Sequence, residues 1–300
     1  MRFLLSHNTE SSLQKADEIL SKTKSDSPEL LVLLAETAVK LKKFETASKD
    51  EIDAIVSLTN ALLSPLLPKE FPQGTQNILI CADHKLSCLA LESLEELSSF
   101  TIHRDFSLAM YKARQEHEGN NVVSSVAYIS DPLHELQDKT QSSMIPSSWN
   151  TLSQSSQIAS EIQVRRGMCS SNAFLFHGLG RVCNFLNVAE LVDTDLRSCH
   201  AVLLVDGADN DKSLRRVERS KSRYMSSYDT AALFSALGAN AILLNRLPAR
   251  ISGNKEFLKR ICNSKSLSKM LLSKKKDSSD RCSRNRYNTV LYGMLNVKIK

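Results

Sequence analysis

Long hydrophobic runs are missing from this 300-residue chain: no stretch of about 18 apolar residues occurs, so no segment qualifies as a membrane-spanning helix. The apolar segment in MRFLLSHNTESS is too short for the central region of a signal peptide, and the expectation is an intracellular, soluble protein. No CxxC and no HExxH occur, which removes the compact zinc spacings, and no metal is expected. GxSxG is absent, so a serine hydrolase with a nucleophile elbow is not expected. GxxxxGK[ST] is absent too, which disfavours the common nucleotide-phosphate loop. The seven cysteines (81, 88, 169, 183, 199, 262 and 282) are odd in number and scattered, several inside apolar runs such as ILICAD. That is the pattern of reduced, packed thiols and not of a disulfide framework.

What is present is enough apolar content, 42%, to bury one substantial core. The net charge of +6 is concentrated in two Ser-rich segments. Residues 212–223, KSLRRVERSKSR, carry Lys212, Arg215, Arg216, Arg219, Lys221 and Arg223 against Glu218, and residues 265–286 carry eight basic residues against Asp277 and Asp280. Both read as exposed basic loops without interleaved aromatics, suited to acidic surfaces and not to base readout. The first is the candidate interaction loop, and no nucleic-acid partner is expected because no binding motif accompanies the charge. Acid pairs such as Glu95 and Glu96, or Asp206 and Asp209, read as solvated residues.

Residues 1–70 read as a helical segment: SLQKADEIL, then SPELLVLLAETAVKLKK behind a Ser-Pro start, then SKDEIDAIVSLTNALLSPLLP ended by its prolines. After the Pro- and Gly-bearing linker LLPKEFPQGTQ the pattern changes to short apolar runs alternating with helical ones, a second region over 75–300. NILICAD, LSCLA, NVVSSVAYIS, SNAFLFHG, AVLLVDGADN, AILLN and NTVLYGMLNVKI read as strands, with LESLEELSS, SQSSQIASEIQVRR and SYDTAALFSALG as helical segments, and DLRSCH as a helix end. Strands as continuously apolar as AVLLV and AILL imply a largely parallel sheet covered on both faces, with working residues at the carboxyl ends of its strands. Those ends are Asp83, Asp131, His177, Asp206 and Asn245.

FLFHGLGRVC, residues 174–183, concentrates the question of chemistry. A dinucleotide loop would read G-L-G-R-V-C as GxGxxG with Asp193 or Asp195 downstream, but Cys183 stands where the third glycine belongs, and no cofactor is expected. A dyad would set His177 against a nucleophile at the next strand end, where a general base and a thiol could meet, but that end is Asp206. The bland alternative is a histidine satisfied by a neighbour, for which an ion pair of His177 with Asp206 is the natural form.

The order of these segments over residues 75–300 resembles the caspase-like domains that accompany tetratricopeptide repeats, relatives of separase. ILICADHKLSCLALESL resembles their opening hairpin, FTIHRDFSL the segment after it and VAYISDP the next strand. FLFHG resembles the strand of the catalytic histidine, and HAVLLVDGADN the strand that ends in the catalytic cysteine. The resemblance implies an α/β, three-layer caspase-like sandwich with a mainly parallel sheet, preceded by a short helical segment. Carried over by position, His177 matches the catalytic histidine, while Asp206 stands in place of the cysteine, so a degenerate, inactive site is expected. Within this group ADHKL, RDFSL, the basic 212–223 loop and VLYG look closest to a component of the central apparatus of motile axonemes. That likeness implies a ciliary scaffold whose partners are other central-apparatus proteins and, through the basic loop, microtubules, with no membrane role. The competing expectation is an active cysteine peptidase using His177 with a relocated thiol such as Cys183. Cys199, roughly 20 Å before the strand end at about 3.3 Å per residue, is expected at the wrong edge of the sheet.

Overall fold

The computed structural model describes residues 71–82, 91–116, 122–132, 145–152, 160–208, 226–246, 249–264, 266–273 and 288–299, with isolated positions between 60 and 87. The expected helices of residues 1–70 and the 212–223 interaction loop lie outside the described residues, apart from a few of those isolated positions. The chain divides into two compact units, Met1–Gln76 with Ala82–Phe100, and Asn77–Cys81 with Thr101–Lys300. In the first unit, 3-10 turns at Leu91–Ser93 and Glu95–Leu97 bury Leu91, Leu94 and Leu97, and the Phe71 and Phe100 rings lie 4.7 Å apart.

The second unit is built on a nine-stranded sheet. Its strands are β1 (Asn77–Ile80), β2 (Thr101–Arg104), β4 (Val126–Ser130), β5 (Asn150–Thr151), β6 (Ala173–Leu179), β7 (Ala201–Ala208), β8 (Ala241–Asn245), β9 (Ala249–Arg250) and β10 (Thr289–Gly293). The order is β1-β2-β10-β8-β7-β6-β4-β5, with β9 extending the end of β7. A two-stranded sheet pairs β3 (Val122–Val123) with β11 (Lys298–Ile299).

Helices α1 (Leu108–Glu116), α2 (Glu161–Ser170), α3 (Val182–Phe185), α4 (Val188–Leu191), α5 (Ser227–Ala236), α6 (Ile251–Asn263) and α7 (Leu267–Ser273) complete the described elements. The period-2 alternation of the strands sorts their side chains onto two faces. Phe174, Phe176, Val202, Leu204, Ile242 and Leu244 pack with residues of α2 to α5, whereas Leu175, Leu203, Val205 and Leu243 pack with Phe257, Leu258 and Ile261 of α6 and Leu267 and Met270 of α7. Two cores on the two faces of one sheet make the expected three-layer α/β sandwich. AVLLV and AILL are apolar throughout because both faces are covered.

Local chemistry sets the boundaries. Ser160 and Gln163 form a capping box at the start of α2, and Ser226 and Asp229 form another at the start of α5. Gly238 ends α5 at φ +104°, a conformation that favours glycine, and a Cβ there would come within 2.7 Å of the Arg197 side chain.

Several expectations are corrected. The first strand does not open a hairpin: β1 pairs with β2 in parallel, and Ser87 of LSCLA lies in a turn. NVVSSVAYIS breaks into β3 and β4, which join different sheets, because the step through Ser124 and Ser125 lets Val123 enter the core with Val297 while Val126 continues the main sheet. DLRSCH is not a helix end; Thr194–His200 forms turns before β7. The segment 265–286 is not a basic loop throughout, because α7 occupies Leu267–Ser273 and buries Leu267 and Met270 completely; residues 274–287 lie outside the described residues. A two-residue amphipathic spacing inside a Lys- and Ser-rich segment was outweighed by its charge.

Candidate functional site

β4, β6, β7 and β8 run parallel, so their carboxyl ends form one edge. β10 is antiparallel to β8 and parallel to β2, so β1 and β2 run the opposite way. β1 therefore ends at the edge where β8 begins. Asp83, grouped from sequence with His177, Asp206 and Asn245, lies outside the described residues.

At the shared edge the register decides which side chains meet. His177 pairs with Ser130 of β4 and Val205 of β7, while Asp206 pairs with Gly178. Directly paired residues share a face and successive residues alternate. His177 thus lies on the face of Leu175, Val205 and α6, and Asp206 on the face of Phe176, Leu204, α3 and α5. The expected His177–Asp206 ion pair is corrected by this geometry: the strand ends are neighbours, but a fully pleated sheet separates the side chains.

His177 is fully buried. Its Nδ1 lies 3.4 Å from the Ser130 hydroxyl, and its Nε2 has no hydrogen-bond partner. Burial, with the positive charge of Lys255 on α6 as a second cause, pulls the imidazole down to about 4, so the ring is neutral at physiological pH. Asp131 follows Ser130 with φ 45°, and its N–H donates to the His177 carbonyl at 2.7 Å, holding the end of β4 against β6.

On the opposite face, Asp206 is 1% exposed, which corrects its reading as a solvated acid. It forms an ion pair with Arg181, the residue that follows Gly180 in the GLGR turn. The same guanidinium donates to the Asn245 carbonyl at 2.6 Å and the Arg246 carbonyl at 2.5 Å. Asn245 Nδ2 and Asn254 Nδ2 both donate to the Asp206 backbone carbonyl, at 3.1 and 2.9 Å, and Asn245 also donates to Asn254 Oδ1 at 3.2 Å. The ends of β7 and β8, the turn after β6 and the start of α6 are tied into one buried polar knot. Burial raises the Asp206 carboxyl against the opposing pull of Arg181.

Of the strand-end residues named from sequence, the structure joins Asp206 to Asn245 and the Asp131 backbone to His177, and it keeps the His177 and Asp206 side chains apart. Arg181, Asn254, Ser130 and Lys255 were not foreseen. An acid inside AVLLVDGA was the available signal for Arg181, because a carboxylate in a fully covered strand needs a cation partner.

Among the described residues every thiol is held away from its ionised form. Burial pushes Cys183 up to about 11, with the charge of Asp206 adding to it, Cys199 up to about 12 and Cys262 up to about 11; Cys81 and Cys169 are raised as well. Cys183 packs in the core on the Asp206 face, not the His177 face. Cys199 precedes β7 at the amino edge, as its spacing implied. Nor does the GLG turn cradle a phosphate: the Gly180 N–H donates to the Gly207 carbonyl at 2.9 Å, α3 is only four residues long, and Asp195 pairs with Arg197. Among the described residues no cluster of three His, Cys, Asp or Glu side chains could hold a metal ion.

No family model matches the chain, and no curated protein does. Solved structures do. One of the Saccharomyces cerevisiae separase–securin complex at 3.0 Å aligns over 71% of the chain with a TM-score of 0.53 and 16% identity, covering 15% of the separase-complex chain. A second, at 2.6 Å, aligns over 89% of the chain with a TM-score of 0.53 and 13% identity, covering 20% of the matched chain. The protein therefore has a caspase-like fold of the separase type. It spans a fifth or less of the length of the chains it resembles.

Proposed function

We propose that this chain is a non-catalytic scaffold of caspase-like fold. The observation that carries the reading is what stands on the His177 face of the neighbouring strand: Val205 and, one pleat further, Gly207. A nucleophile serving His177 would have to occupy that face, and neither residue supplies one. Asp206, one position away, is spent on Arg181. A neutral imidazole with an orphan Nε2, and with no acid acting on it among the described residues, lacks the orienting partner of a working dyad.

The place of action we propose is the motile-cilium axoneme, as a contributor of protein–protein contacts in the central apparatus. Support comes from the sequence likeness of ADHKL, RDFSL, the 212–223 loop and VLYG to the C-terminal region of cilia- and flagella-associated protein 46. The basic loop, through Lys212, Arg215, Arg216, Arg219, Lys221 and Arg223, would steer the chain to acidic partners such as neighbouring central-apparatus proteins or tubulin tails.

The catalytic part is tested with a panel of acyloxymethyl-ketone peptidase probes on the purified chain. The expected result is no cysteine labelling above a denatured control; labelling that disappears in His177→Ala would overturn the scaffold reading. The ciliary part is tested by tagging the chain in cells with motile cilia. Signal along the axoneme is expected, and signal spread through the cell body with bare cilia would remove it.

A further inference from the structure

The basic segment before α5 contains a pattern that charge alone does not explain. Arg219-Ser220-Lys221-Ser222 is followed at once by Arg223-Tyr224-Met225-Ser226, two successive R-x-x-S units in phase. An arginine three residues before a serine is the feature that kinases with acidic substrate clefts read, because a guanidinium makes directional, charge-assisted hydrogen bonds to carboxylates.

The second of these serines sits at a structurally sensitive point. Ser226 is the N-cap of α5 and only partly buried. Its hydroxyl accepts from the Asp229 N–H at 3.0 Å and donates to Asp229 Oδ2 at 2.6 Å, while its own N–H donates to the same oxygen at 3.1 Å. The turn that this box closes carries Tyr228, whose ring meets Phe106 edge-on at 5.1 Å and Tyr292 at 6.3 Å. The hydroxyl is thus both acceptor and donor, and the atom it donates to is a carboxylate.

We infer that Ser226 is a phosphorylation site for a basophilic serine kinase, and that the capping box of α5 reads the modification. In the step, Ser226 Oγ forms a bond to the γ-phosphorus of ATP and the bond from that phosphorus to the bridging oxygen breaks. ADP leaves with the electron pair, and the hydroxyl proton passes to the kinase's base. The phosphate ester keeps acceptor oxygens for the Asp229 N–H and for the positive end of α5, but it has no proton for Asp229 Oδ2. It also sets about 1.5 to 2 negative charges beside that carboxylate. The Asp229 side chain is repelled, the Ser226 N–H loses its acceptor, and the Tyr228 turn loosens.

The proposal goes beyond the scaffold reading and does not depend on it. The purified 300-residue chain is incubated with ATP, magnesium and the catalytic subunit of a cyclic-AMP-dependent kinase, and phosphate is located by tandem mass spectrometry. Phosphate on Ser226 is expected, slowed at least about tenfold in Arg223→Ala, the loss of one charge-assisted contact. Phosphate confined to Ser220 or Ser222, or no phosphate on Ser226 while an R-x-x-S control peptide is modified, would overturn the assignment. Hydrogen exchange then reads the coupling: the amides of Ser226, which donates to Asp229, and of Thr230, which donates to the Ser226 carbonyl, are expected to exchange faster after phosphorylation, and less so in Asp229→Asn. Unchanged exchange in fully phosphorylated protein would overturn the role of the capping box.

Discussion

The two faces of the β6–β7 edge bury polar groups in opposite ways. On the α3 and α5 face, Asp206 is enclosed against a cation, with Arg181, Asn245 and Asn254 meeting it or its carbonyl. On the α6 face, His177 is enclosed with one long contact to Ser130 and an unpartnered Nε2. A charge can stay charged inside a protein only when its partners are fixed around it; a base with few partners gives up its charge instead. The pleat keeps these two solutions one residue apart.

That contrast predicts unequal responses to substitution. The largest is expected from Arg181→Met, which leaves Asp206 buried and uncompensated and should cost about 3–5 kcal/mol in urea unfolding, whereas the double variant Arg181→Met/Asp206→Leu should recover most of it. A double variant as unstable as the single one would mean that the knot matters for its shape and not its charge.

Next is the pH dependence of the other face. His177 takes up a proton near 6.5 when unfolded but only near 4 when folded, so the unfolded chain binds more protons between those values. Stability therefore falls as pH drops from about 6.5 through about 4, by up to about 3 kcal/mol. Asp206, raised by burial, slopes the other way above its ordinary 3.8, losing stability as pH rises, and does so in every variant that retains it. The difference between wild type and His177→Gln isolates the histidine, and parallel pH profiles would show that its neighbourhood admits charge.

A smaller effect, about 1–2 kcal/mol, is expected for Asn254→Ala, which removes the side-chain donor that reaches Asp206's carbonyl from α6. The smallest is Arg165→Ala. Its ion pair with Glu190 at 2.5 Å is part-exposed on both sides and should contribute less than about 1 kcal/mol, shrinking further in high salt. Were this surface pair to rival Asn254, exposure would be a poor guide to polar energetics in this chain.

The two-sided burial of β7 and β8 was legible because five apolar residues in succession in AVLLV and four in AILL leave no face for water. The helical segment SYDTAALFSALG was legible too, and the structure adds the capping box of Ser226 and Asp229 that starts it. The reversed direction of β1 and β2 was not, because strand composition carries no record of which neighbour a strand joins. Nor was the burial of α7, where Lys and Ser surround a Leu-Met pair only three residues apart.

The candidate site divides along the same line. Sequence by itself determined that a histidine and an aspartate stand near the ends of successive apolar strands and that no cysteine follows AVLLV, since these depend on composition and local periodicity. Tertiary structure alone decided that His177 and Asp206 turn away from each other and that Arg181 is the partner. Which face a side chain takes depends on register, set by pairing across the whole sheet, and a one-residue shift in register exchanges every face.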